Sequence, residues 1–249
     1  MLFRSNRTVI FDSVTLTGGN AEFRLFDPGF SNSATPGGAN LMLGVIGGVA
    51  GSGVIFNGQA PYVTTITGDS NYSGTTTVST GTLQVGTGST TGSLGAGAVT
   101  DNALIVFNRS DTLSVPNSIT GTGTVTNAGG VGNVLELAGA QDYTTLNANS
   151  GATHLHGSFT AGTATVNVLA NLGIATSQTI GALNISDGAT VTLDSALLSP
   201  PAPAFAGGGI ADFGILQSGV QSVPEPGSVS LLLLGILRIA GRRLRQRSV

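Results

Sequence analysis

The sequence predicts an all-β chain wound as an extended β-solenoid. Three observations carry this. Short β-prone runs such as TTTVS, TLQV, ALIVF, VLEL and TVNVL are separated by glycine, and the chain holds 39 glycines in 249 residues, about twice the usual share. Glycine permits the positive φ of tight corners, and many short strands between such corners read as all-β. Within strands the apolar period is two. Aromatic residues are scarce, with no Trp, three Tyr and ten Phe, so the large buried area that rings supply to a globular core is missing. A long stack of small aliphatic residues suits this composition better.

The N-terminal stretch MLFRSNRTVIFDS lacks the apolar region of a secretory signal. Leu41 to Ala50, LMLGVIGGVA, lies too far in and is too glycine-rich to serve. The expectation is a start that lies upstream of Met1, because the other end of the chain demands export.

From about Thr8 to Asp194, four- to six-residue strands alternate with Gly, Asn, Asp and Ser turns. No amphipathic helix of normal length is legible there. In GNVLELAG, Leu135 and Leu137 face in and Glu136 out. In GTATVNVLA, Val166 and Val168 point one way and Asn167 the other. In GATVTLDS, Val191 and Leu193 face in, Thr192 and Asp194 out. One apolar face per strand is what a solenoid coil needs. Residues Gly68 to Gly86 align with Gly139 to Gly157, pairing Gly68 with Gly139, Tyr72 with Tyr143 and Gly81 with Gly151. A period near seventy residues implies several coils of ~20 residues per cycle.

Charged residues are only 8 % of the chain and lysine is absent. Solubility then rests on Thr, Ser, Asn and backbone, as ladders on strands. The body before Ser222 is acidic, which makes nucleic acid an unsuitable partner. There is no cysteine, so disulfides and cysteine metal sites are excluded.

The run SNYSGTTTVSTGTLQVG, then GSLGAGAVT, then ALIVFNRSDTLSVPNSITGTGTVT resembles the autotransporter-associated β-strand repeat. The resemblance is close from Gly68 to about Thr126 and weaker to Asp194. It implies a right-handed parallel β-helix in a secreted or surface protein, and no catalytic residues.

The body is assigned to residues 1–196. Residues 197–222 change character: Pro200, Pro201 and Pro203 block a ladder, and Gly207 to Gly209 loosen the chain. They form a linker. The last segment, 223–249, reads VPEPGSVSLLLLGILRIAGRRLRQRSV. Pro224 and Pro226 hold an extended, solvated peptide around Glu225. Val229, Leu231, Leu232, Leu233, Leu234, Ile236 and Leu237 form a short hydrophobic helix. A stable span needs ~20 apolar residues; here Arg238 must snorkel for Ile239 to Gly241 to count, so transient docking is the easier expectation. Arg242, Arg243, Arg245 and Arg247 stay cytoplasmic by the positive-inside rule. Val223, Pro224, Glu225 and Pro226, with the helix and arginines in this order, resemble the PEP-CTERM sorting signal. That resemblance implies an exosortase-type sorting protease as partner, a membrane-anchored intermediate, and delivery to the cell envelope, surface or exterior.

No catalytic, cofactor or metal residues are expected. His154 and His156 share a strand face, but zinc needs more ligands and no acidic residue is near in sequence, so a solvated pair flanking buried Leu155 is the reading. Asp69, Asp101, Asp111, Asp142, Asp187 and Asp194 sit beside turn residues and read as turn formers, with no calcium-loop pattern. Asn-X-Ser/Thr triplets at Asn6, Asn71, Asn108 and Asn184 carry no weight in a Thr- and Asn-rich chain. Arg109 is the only arginine between Arg24 and Arg238. A β-helical polysaccharide lyase would use it as a base beside clustered carboxylates, but within NRSD it reads as a structural turn residue. The expected role is structural or adhesive, with extracellular polysaccharide as a partner class. A carbohydrate-active enzyme and a fragment of an autotransporter passenger are the alternatives.

Overall fold

The computed structural model describes residues 8–25, 40–59, 61–160 and 162–193. The first four coils are β1 (Thr8–Leu16) and β2 (Asn20–Leu25), β3 (Asn40–Gly48) and β4 (Gly53–Gly58), β5 (Val63–Ile66) and β6 (Thr76–Thr80), then β7 (Thr82–Ser89) and β8 (Val99–Asp101). Two coils of three strands follow: β9 (Leu104–Arg109), β10 (Thr112–Val115) and β11 (Ile119–Thr120), then β12 (Thr124–Asn127), β13 (Val134–Leu137) and β14 (Gln141–Asp142). The last are β15 (Thr145–Ala148) and β16 (Ala152–Leu155), β17 (Thr165–Val168) and β18 (Asn171–Ile174), and β19 (Ala182–Ile185) and β20 (Thr190–Leu193).

Strands stack between coils and not within them. The first side is a nine-stranded sheet, β1-β3-β5-β7-β9-β12-β15-β17-β19. The second is β2-β4-β6-β8-β11-β14, and the third is β10-β13-β16-β18-β20. The pairings along all three are parallel, as in β3 with β5, β4 with β6 and β13 with β16. The chain is therefore a parallel β-solenoid. From β3 onward the register advances by 17 residues (Val166 to Leu183) to 23 residues (Leu41 to Thr64) per coil, as the sequence predicts.

Alternation explains what fills the interior. On the first side one inward column runs Leu83, Ile105, Val125, Leu146 and Val166, paired rung to rung and each fully buried. A Leu or Val taken from water contributes roughly 1.5–3 kcal/mol, and each coil repeats that gain. Leu135, Leu137, Leu155, Val166 and Val168 are buried as expected. Leu193 departs from expectation at 46 % exposed, because β20 ends the described ladder and no described rung covers its inner face.

On the first side, the outward row of the later coils is polar. Thr126, Asn147, Asn167 and Asn184 stand in register. Asn147 Nδ2 donates to Thr126 Oγ1 at 3.2 Å, Asn167 Nδ2 to Asn147 Oδ1 at 2.8 Å, and Asn184 Nδ2 to Asn167 Oδ1 at 2.8 Å. This is the amide ladder that replaces surface charge.

The seventy-residue repeat needs correction. Gly68 and Gly139 are 71 positions apart, which is not a whole number of coils. The aligned strands therefore fall on different sides: β6 lies on the second side, and its counterpart β15 on the first. What the alignment preserves is corner chemistry. Gly81 and Gly151 both adopt positive φ, 81° and 61°, each immediately before a strand.

Candidate functional site

Three polar clusters stand out. The first surrounds Arg109 at the end of β9, whose side chain is only 7 % exposed. Its Nε donates to Asp111 Oδ1 and its Nη2 to Asp111 Oδ2, both at 2.8 Å. Nη1 donates to the Gly92 carbonyl at 2.8 Å and to Asp69 Oδ1 at 3.4 Å. Asp69 Oδ1 also accepts the Gly92 N–H at 3.0 Å. The guanidinium thus fastens three successive coils. The hydrogen bonds from Arg109 hold the Asp111 carboxyl below its usual range, and the Asp111 hydrogen bonds hold the guanidinium proton more tightly. The expected turn role for Arg109 fits this bidentate, buried geometry. Two carboxylates do flank it, as an enzymatic reading would want, yet the guanidinium is already engaged by both carboxylates and a carbonyl.

The second cluster is internal. Asp101 ends β8 pointing inward and is fully buried. One carboxyl oxygen accepts the Ala103 N–H at 3.0 Å, a turn of the kind expected of Asp; the other has no hydrogen-bond partner among the described residues. Burial pushes its pKa up to about 6. Tyr143 is fully buried, meets Phe159 edge-on at 4.8 Å between centroids, and its hydroxyl makes no hydrogen bond among the described residues. Burial, and next the nearby Asp101 charge, push the phenol well above its usual range. Sequence reading placed Asp101 only as a turn former. The signal was the alternation Val99 in, Thr100 out, Asp101 in.

The third cluster lies on the outer face of the third side. Ser114, Glu136, His154, Gly173 and Thr192 form one cross-strand row. Glu136 sits directly beside His154, although 18 positions separate them in sequence. His156 follows on the same face, its ring 6.0 Å from that of His154 and steeply inclined to it at 75°. The side chains flank buried Leu155 as expected, but the carboxylate neighbour is supplied by the previous coil.

A groove of about 320 Å³ opens where the third sheet stops at β10, lined by Ser70, Asn71, Ser93, Leu94, Ser114 and Pro116 among others. Asn117, which also lines it, donates from Nδ2 to the Gly95 and Gly97 carbonyls at 2.8 and 2.6 Å.

The sorting motif Val223 to Pro226, the apolar run from Val229 to Leu237, the arginines Arg242, Arg243, Arg245 and Arg247, the linker 197–222 and Asp194 lie outside the described residues. Among the described residues no helix is long and apolar enough to cross a membrane.

No family model matches the chain, and no solved structure matches it. A stretch of 55 residues, 22 % of the chain, is 47 % identical to the adhesin BmaC autotransporter of Brucella suis biovar 1 (strain 1330). The chain's matched stretch spans only 2 % of that protein's length, a local likeness in a protein of the kind that the β-strand repeat implies.

Proposed function

We propose that the chain is a surface-displayed β-solenoid with a structural or adhesive role, exported and sorted through its C-terminal segment. The observation that carries this reading is the parallel ladder with an uncharged row of amides and a hydroxyl on the outside of its first side. Such a rod spaces and displays, and its polar row suits hydrogen bonding to an extracellular polysaccharide. The local likeness to an autotransporter adhesin supports the same reading. It also favours a second one, in which the chain is a segment of an autotransporter passenger; the adhesive role is common to both. The VPEP motif, the leucine run and the terminal arginines support sorting by an exosortase-type protease at the membrane. The right-handed winding of the coils rests on the repeat resemblance.

The test is to express the chain with an added export signal in a host that has an exosortase, and to measure the C-terminal mass, the cell fraction and cell attachment. A surface product trimmed near Val223 to Pro226, on cells that attach more firmly, is the expected result. An intact C-terminus at Val249 in a soluble fraction overturns the sorting route. A displayed product that leaves attachment unchanged overturns the adhesive role.

A further inference from the structure

We propose that Glu136, His154 and His156 form a binding site for one divalent transition-metal ion of the zinc type on the outer face of the solenoid. The argument begins with register. Parallel strands stand about 4.8 Å apart, and the pairing of β13 with β16 sets Glu136 against His154. Alternation then returns His156 to the same face two residues on.

The three side chains offer one carboxylate oxygen and two imidazole nitrogens, all within 4.8 Å of one another. Around tetrahedral zinc, with bonds of roughly 2.0–2.2 Å, ligand atoms stand about 3.4 Å apart. Small rotations about the side-chain torsions close this gap, since Glu136 and His154 are half-buried and His156 is exposed. The neighbouring rung makes room for the ring of His154. Its partner there is Gly173, and a Cβ at that position would lie 2.8 Å from His154 Cδ2. In this rotamer the imidazole occupies space that a side chain at position 173 would enter.

The donor set decides the class of ion. Two imidazoles and a carboxylate suit zinc, copper or nickel, whereas calcium and magnesium seek oxygen ligands. Three protein ligands leave the remaining position open to solvent, or to a donor on another surface. No lysine exists in the chain to compete for the carboxylate. The anchoring is rigid, because Leu135, Leu137 and Leu155 behind the ligands are fully buried.

The experiment is calorimetric titration of zinc chloride into the full chain, prepared without a histidine tag, and into E136Q, H154Q and H156Q. Cobalt substitution, read by its visible absorption, reports coordination directly. The expected result is one ion per chain, bound at least tenfold more weakly by each variant, with far-UV circular dichroism unchanged because all three side chains point outward. Absence of zinc uptake by the unaltered chain overturns the proposal. So does uptake that the three variants leave unchanged, which would place the ion elsewhere.

Discussion

The carboxyl group of Asp101 lies against the backbone of Gly123: a Cβ built on that glycine would fall 2.5 Å from both carboxyl oxygens. The two residues belong to adjacent coils, and the Gly123 N–H donates to the Asp101 carbonyl at 2.8 Å. The inward carboxyl occupies the volume that a side chain at position 123 would need.

Substituting Gly123→Ala is therefore expected to destabilise the fold by about 2–3 kcal/mol through overpacking. Combining it with Asp101→Ala removes the colliding group, so the double variant loses less than the sum of the two single ones. Chemical denaturation of the four proteins in a double-mutant cycle measures that coupling.

Asp101 also gives stability a pH dependence. Its carboxyl titrates at about 6 in the fold against a usual 3.8. Between those values the folded chain keeps a proton that the unfolded chain has lost, so stability falls as pH rises through this window. The loss levels off above pH 6 at about 3 kcal/mol. Asp101→Asn is expected to be more stable than the unaltered chain at pH 7 and to lack this slope. Thermal melts from pH 4 to pH 8 check it; parallel curves for the two proteins would contradict the assignment.

Tyr72 and Tyr143 are both buried, yet the same substitution should act on them with opposite sign. The Tyr72 hydroxyl shares a 2.7 Å hydrogen bond with Thr76 Oγ1. Tyr72→Phe should cost about 1 kcal/mol, whereas Tyr143→Phe, which removes a buried hydroxyl with no hydrogen-bond partner among the described residues, should be neutral or stabilising by a similar amount. Urea unfolding midpoints at constant slope distinguish the two.

Arg109→Met keeps the aliphatic stem and removes the bonds to Asp111, Asp69 and Gly92. A loss of about 2–3 kcal/mol at neutral pH is expected from these charge-assisted bonds. Asp111 is held below its usual range mainly by the Arg109 hydrogen bonds, so its contribution is present above about pH 4 and fades as acid protonates it. The variant should therefore lose less stability on acidification than the unaltered chain does, measured by denaturation at pH 7 and pH 3.

Alternation along a strand is local, and it made the interior legible: Leu135, Leu137, Val166 and Val168 are where a period of two places them. The outward amide ladder was legible from composition. Neighbourhood across coils was not, because it depends on the length of every corner. Coils of 17 to 23 residues bring Glu136 beside His154, and no motif in the sequence marks that distance. The same variation defeats the seventy-residue repeat, whose strands change side while its glycine corners persist. Asp101 was hidden for a different reason: turn chemistry and burial coincide in one residue, and the first masks the second.

The ladder of the first side has one further consequence. Each coil consumes about twenty residues and advances the stack by about 4.8 Å, whatever those residues are, provided the inward columns stay apolar. Reach then becomes a digital quantity. A tandem duplication of one coil, cut at equivalent corners, extends the rod by one graduation and leaves the chemistry of the neighbouring rungs untouched. A protein of this build measures distance in whole steps, and its length is open to change by recombination without a redesign of its core.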